Sequence, residues 1–179
     1  EFQTERDVVK EERRLRSEDD PQGALVEALF AQAFLSHPYH WPVIGWFADL
    51  DAMSLEDLQR HYDTFYSPNN ATLVVVGDIK ADALLPTIKR LFEPIPRGPS
   101  PKQTLAPEPE QRGERRFLLK RDAQVPFVMM GFRVPNYSSE DSYALDILES
   151  ILSHGKSSRL YQSLVYDQKN SLAVGAEYS

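Results

Sequence analysis

The chain of 179 residues, 41% hydrophobic and 26% charged, has an ordinary globular composition that holds one domain or two small ones. A formal net charge of −7 leaves no concentrated positive field, which argues against a nucleic-acid-binding surface. Without cysteine the chain can form neither a disulfide framework nor a thiolate zinc site, while periplasm and cytoplasm both stay open, and no run of about 18 apolar residues is present to span a membrane.

The N-terminal stretch TERDVVKEERRLRSEDD reads as a helix with no cap and no signal-peptide pattern before it, as expected of a segment of a longer protein. At about 100° per residue, with Glu5 as the origin, Val9 falls at about 40°, Phe2 at about 60°, Glu12 at about 340°, Val8 at about 300° and Leu15 at about 280°. The apolar stripe therefore carries two carboxylates in its middle. Arg6, Asp7, Lys10, Glu11, Arg13 and Arg14 take the opposite, solvated face. A carboxylate on a buried stripe is costly unless it is paired or coordinated. Glu12 is thus either half of a salt bridge to an arginine elsewhere or a metal-ligating or catalytic group, and the helix alone does not choose.

Asp20-Pro21 reads as an N-cap with proline in the first helical position. The second helix runs to about Ser36, and its only polar residues between Ala24 and Leu35 are Glu27 and Gln32, as in a helix buried between other elements. Residues 37–53 are irregular, broken by Pro38, Pro42 and Gly45. His37 and His40 have the spacing of a metal pair, yet a proline stands between them and no third ligand is near, so they read as structural. Ser54 and Asp57 form a capping-box pattern before a helix that buries Leu55, Leu58, Tyr62 and Phe65, with His61 on its flank. Pro68, Asn69 and Asn70 make a turn, and Leu73, Val74, Val75 and Val76 predict a central strand that stops at Gly77-Asp78. A helix follows to about Phe92, with Asp82 as its cap and Pro86 tolerated near its start.

Prolines at 94, 96, 99, 101, 107 and 109 make residues 93–113 an extended linker. Beyond it, two strands joined near Asp122-Ala123 are predicted, the second with Phe127, Met129 and Phe132 among its apolar positions. Arg115, Arg116, Lys120 and Arg121 give this hairpin a positive edge, read as solvated and aggregation-resistant, with a substrate-facing role as the alternative. Ser138 and Ser139 cap a helix with Ala144, Leu145, Ile147, Leu148, Ile151 and Leu152 on its apolar face, ended by a left-handed cap at His154-Gly155. One more helix from about Ser157 and a strand from about Leu172 complete the chain.

Three stretches, ERDVVKEE, YSPNNATLVVVGDI and GKSSRLYQSLVYDQKNSLAV, in this order and spacing, resemble the insulinase/pitrilysin family of zinc metallopeptidases. In that family an inverted motif, His-x-x-Glu-His, gives two histidine ligands and a general-base glutamate, and a glutamate on a later helix is the third zinc ligand. The resemblance places Glu12 at that third metal ligand and Glu5 at a second family glutamate beside the catalytic site. It implies an α+β fold, an antiparallel-rich sheet covered by helices on one side, in two incomplete domains of related fold. Residues 1–92 would be the C-terminal part of the first domain, 93–113 the linker and 114–179 the N-terminal part of the second. Arg159 and Tyr161 would be helix-face residues without a catalytic role.

The implied function is that of a zinc-dependent metalloendopeptidase acting on extended peptides in a chamber shared with a second peptidase-like half or subunit. No His-x-x-Glu-His occurs in the chain, so it holds at most one of three ligands and no general base, and alone it is expected to be inactive. The alternatives are a non-catalytic homologous subunit that shapes the chamber of an active half, and a free-standing α+β binding module.

Overall fold

The charged N-terminal stretch forms α1, Phe2–Arg13, which runs without a break into a wide π turn, Arg14–Glu18, closed by the Asp19 N–H donating to the Arg14 carbonyl at 2.8 Å. The computed structural model describes residues 1–101 and 105–178. The part of the expected linker at 102–104 and the last residue of the expected second domain lie outside the described residues. Contacts divide the chain into two compact units, Glu1–Gly131 and Phe132–Ser179.

In the first unit, Asp20 caps α2, Pro21–Ala33, as its sequence predicts: its carboxylate accepts from the N–H groups of Gln22 and Gly23 at 3.1 and 3.0 Å. Proline in the first turn costs nothing there, because that N–H has no helical partner. α2 lies so close to the π turn that a Cβ on Gly23 would fall onto the Arg16 backbone carbonyl. Glycine is needed here for close approach, not for a left-handed φ. A short 3₁₀ turn, Pro38–His40, leads to α3, Phe47–Ala52, and α4, Leu55–Phe65. α4 opens with the expected capping box: Asp57 N–H donates to Ser54 Oγ at 3.1 Å, and Ser54 N–H to Asp57 Oδ2 at 3.0 Å. α5, Ala81–Phe92, follows Lys80 with no side-chain cap, so Asp82 sits in the first turn and not at the cap.

Within the first unit, the segment after α5 is tied to the N-terminal helices and turns by side chains. Arg115 donates to the Gln32 and Ala33 carbonyls at the end of α2, where a cation also meets the negative end of the helix dipole. Arg121 donates to the Glu18 carbonyl. These two arginines are therefore anchors, where the sequence suggested a free solvated edge. The Glu108 carboxylate accepts from the N–H groups of Leu35, Ser36 and His37 at 2.9, 2.8 and 2.9 Å.

In the second unit, α6, Ser142–Ser153, begins three residues after Ser139 and ends before Gly155, whose φ of +73° supplies the expected left-handed C-terminal residue. A second π turn, Tyr161–Asp167, follows. The unit is closed by two tyrosines: Tyr137 Oη donates to the Tyr178 carbonyl at 2.6 Å, and Tyr178 Oη to the Pro135 carbonyl at 2.7 Å.

The expected α+β architecture is overturned: among the described residues there is no strand and no sheet, and the regular structure is helical. A strand exists only through a ladder of hydrogen bonds with a partner. Among the described residues, backbone hydrogen bonds outside the helices close turns and caps within a few residues of each other. The apolar runs at 72–76, 117–119, 125–134 and 172–174 thus have strand-like composition and no pairing. Val74, Val76, Leu118, Val128, Phe132 and Leu172 stay exposed, while the buried apolar residues are Ala24 and Leu50 in the first unit and Tyr178 in the second.

Two outcomes test this description. Gly23→Ala adds helix propensity worth about 1 kcal/mol in a free helix. Here it is expected to lower stability by roughly 1–3 kcal/mol, because a backbone carbonyl cannot step aside; a raised melting temperature would contradict the close approach. The second concerns Asp57, whose carboxyl is held below its ordinary value by the Ser54 hydroxyl and then the Ser54 N–H. A depressed folded pKa means that this stabilisation is complete above the unfolded value of about 3.9 and is lost as pH falls through the lower folded value. Ser54→Ala is expected to move the Asp57 carboxyl-carbon NMR titration upward, and an unmoved titration would rule out the box.

Candidate functional site

Where the two glutamates of α1 point is decided by the rotation of that helix about its axis. The sequence puts the packed face around Glu5. The structure puts it about 100° away, on Phe2, Arg6, Val9, Lys10 and Arg13, which are buried or half-buried. Arg13, expected on the solvated side, is 3% exposed.

Arg13 is buried with its two terminal nitrogens engaged, while its Nε has no hydrogen-bond partner. Its Nη1 and Nη2 donate to the two carboxylate oxygens of Glu27 on α2 at 3.0 and 2.9 Å, a two-pronged match of planar groups. Glu18, brought round by the π turn, accepts from Nη2 at 3.4 Å. The rings of Trp46 and Phe47 lie 5.2 and 5.5 Å from the guanidinium carbon, within cation–π range. The hydrogen bond to Glu27 holds the guanidinium pKa above its ordinary value, against the opposing effect of burial. Further along the same face, Arg6 Nη1 donates to the Asp51 and Met53 carbonyls at 3.3 and 3.2 Å. Lys10 pairs with Asp51, and its hydrogen bond is the main reason that carboxyl lies below its usual range.

With that face packed, Glu5 and Glu12 lie together on one flank of α1, roughly 80–100° round from its middle. Glu5 is exposed and Glu12 half-buried, its side chain 44% exposed, beside Val8 at 57% and Leu15 at 71%. Glu12 Oε1 meets Arg16 Nη2 at 2.9 Å across one helical turn. This is the salt-bridge partner that a carboxylate on the helix can find locally, and such an exposed pair contributes about 0–1 kcal/mol. Glu12 can therefore change partner at little cost. Its oxygens suit one position of a zinc shell. Among the described residues no group of three or more His, Asp or Glu is placed to hold a metal ion.

The histidines serve local structure. His37 Nδ1 accepts from the Tyr39 N–H at 3.2 Å, with its ring against Phe34 and Tyr39. His40 Nδ1 lies 3.0 and 2.9 Å from the Ala31 and Phe34 carbonyls, so it donates to the end of α2. His61 packs on Phe65. Arg13 is the residue that sequence reasoning missed. Its signal was Glu27, the one acid in the apolar α2, which implies a buried cationic partner.

Comparison with known proteins gives this geometry a context. Residues 52–178 match the peptidase M16 inactive domain, so α1 and both glutamates precede the matched span. The chain is 37% identical over 92% of its length to the zinc protease PqqE of Helicobacter pylori, and 34% identical over 89% to an uncharacterized zinc protease of Mycobacterium leprae. It spans 38% and 36% of those two relatives' own lengths. A crystal structure of a protease from Helicobacter pylori matches 98% of the chain with a TM-score of 0.80 and 31% identity, the chain covering 43% of it. The matched domain takes in more than half of the chain, and with it the chain belongs to the M16, or insulinase/pitrilysin, peptidase family.

Proposed function

We propose that the chain is the part of a zinc-dependent metalloendopeptidase that contributes the third zinc ligand, Glu12, with Glu5 orienting the site from beside it. The observation that carries this reading is the outward face of α1. Two carboxylates stand there beside exposed Val8 and Leu15, on a helix whose adjoining face is fixed by Arg6, Lys10 and Arg13. An apolar surface interrupted by acids is a poor solvent face and a good lining for a site completed by residues outside this chain. The names of the relatives as zinc proteases support the same reading.

Within the intact protein, Glu12 would be the residue of this chain that holds the metal, and the weakness of its exposed pair with Arg16 would leave it available. Glu5, two turns earlier on the same face, is placed to accept a hydrogen bond from a neighbouring ligand and fix its orientation. Val8 and Leu15 exclude water around the two acids, which strengthens electrostatic interactions there. Zinc, when bound, supplies Lewis-acid activation of water and of the peptide carbonyl. The chain has no His-x-x-Glu-His, so it provides one ligand and no general base and is inactive alone. Its substrates are peptides, held between this part and a second peptidase-like half or subunit.

A second reading is favoured by the matched inactive domain: a non-catalytic subunit that shapes the chamber of an active partner. The two separate on one substitution. In the intact protein, Glu12→Gln is expected to cut zinc content and peptide turnover by at least tenfold while the fold is kept. Unchanged zinc and turnover would remove Glu12 from the site, and a protein without zinc or turnover before substitution would establish the non-catalytic reading.

A further inference from the structure

We infer that Arg13 is a positioning residue for the metal ligand next to it in sequence, through its two-pronged bond to Glu27. This rests on the reading of Glu12 as a zinc ligand and adds the device that aims it. α1 carries no buried apolar side chain; its one buried residue is Arg13. Apolar contacts can slide and rotate, whereas a planar fork matched to a carboxylate fixes direction as well as distance.

Three elements converge on this one guanidinium. Glu27 comes from α2, Glu18 from the π turn, and the Trp46 and Phe47 rings from the start of α3. Glu12 and Arg13 are adjacent, so their side chains leave the helix about 100° apart. Holding Arg13 inward therefore fixes Glu12 on the flank of the helix, in the same register as Glu5. Gly23 admits the close approach of α2 that brings Glu27 within reach. Replacing Arg13 by lysine keeps the charge on a long flexible stem and loses the fork and the ring stacking. Replacing Glu27 by glutamine keeps the shape of the partner and loses its charge.

The test uses the intact protein with Arg13→Lys and, separately, Glu27→Gln, with Glu12→Gln as the reference. Zinc affinity is read by competition with a chromophoric chelator on the folded protein, and KM and kcat are measured alongside. Loss of an outer-shell orienting group weakens metal binding by roughly 10–100-fold. That loss is expected for both variants, with KM near wild type and kcat reduced. A role in stability alone would lower the melting temperature and leave zinc affinity of the folded protein unmoved, and that result overturns the inference. Unfolding of both variants overturns it as well, since Arg13 would then hold the fold and nothing more specific. If Glu12→Gln itself leaves zinc binding intact, the failure belongs to the ligand assignment and not to Arg13.

Discussion

A buried arginine at the meeting point of α1, the π turn, α2 and α3 sets the geometry of everything near the candidate site. Removing a guanidinium from water is costly unless its charge is met, and here Glu27 meets both terminal nitrogens and two aromatic rings lie within cation–π range, while Nε is left without a partner. Once that junction forms, α1 has one rotation. That rotation turns Arg13 inward and leaves the two acids on the adjoining flank.

Capping chemistry made several helix ends legible in the sequence. Asp20-Pro21, the Ser54–Asp57 box and Gly155 each act within a few residues, so the local chain contains the whole interaction. Asp82 shows the limit of such rules, because a residue of the right type two positions past the cap residue Lys80 cannot cap the helix. The rotation of α1 was not legible. Hydropathy counts Arg13 as a solvent residue, and only Glu27, fourteen positions away on another helix, reverses that. Helical spacing singled out both glutamates and their common face, and resemblance alone gave them roles, but the exposure of that face does not follow from either.

The sheet failed for a related reason. Runs such as 72–76 and 125–134 have the branched and aromatic residues that strands favour, and propensity describes a surface that a strand could fill. It does not supply the partner whose N–H and C=O groups complete the ladder. Without that pairing, Val74, Val76 and Val128 stay exposed in the first unit and Phe132 in the second. The first unit secures its irregular segments differently, through arginine and glutamate side chains on helix ends and turn N–H groups.

The central claim is that the outward face of α1 delivers one carboxylate to a zinc ion whose other protein ligands come from beyond this chain. The most direct measurement is the zinc X-ray absorption spectrum of the intact protein. The account predicts two imidazoles, recognised by their multiple scattering, with the remaining positions filled by oxygen. A shell of three or four imidazoles, or one containing sulfur, would contradict it.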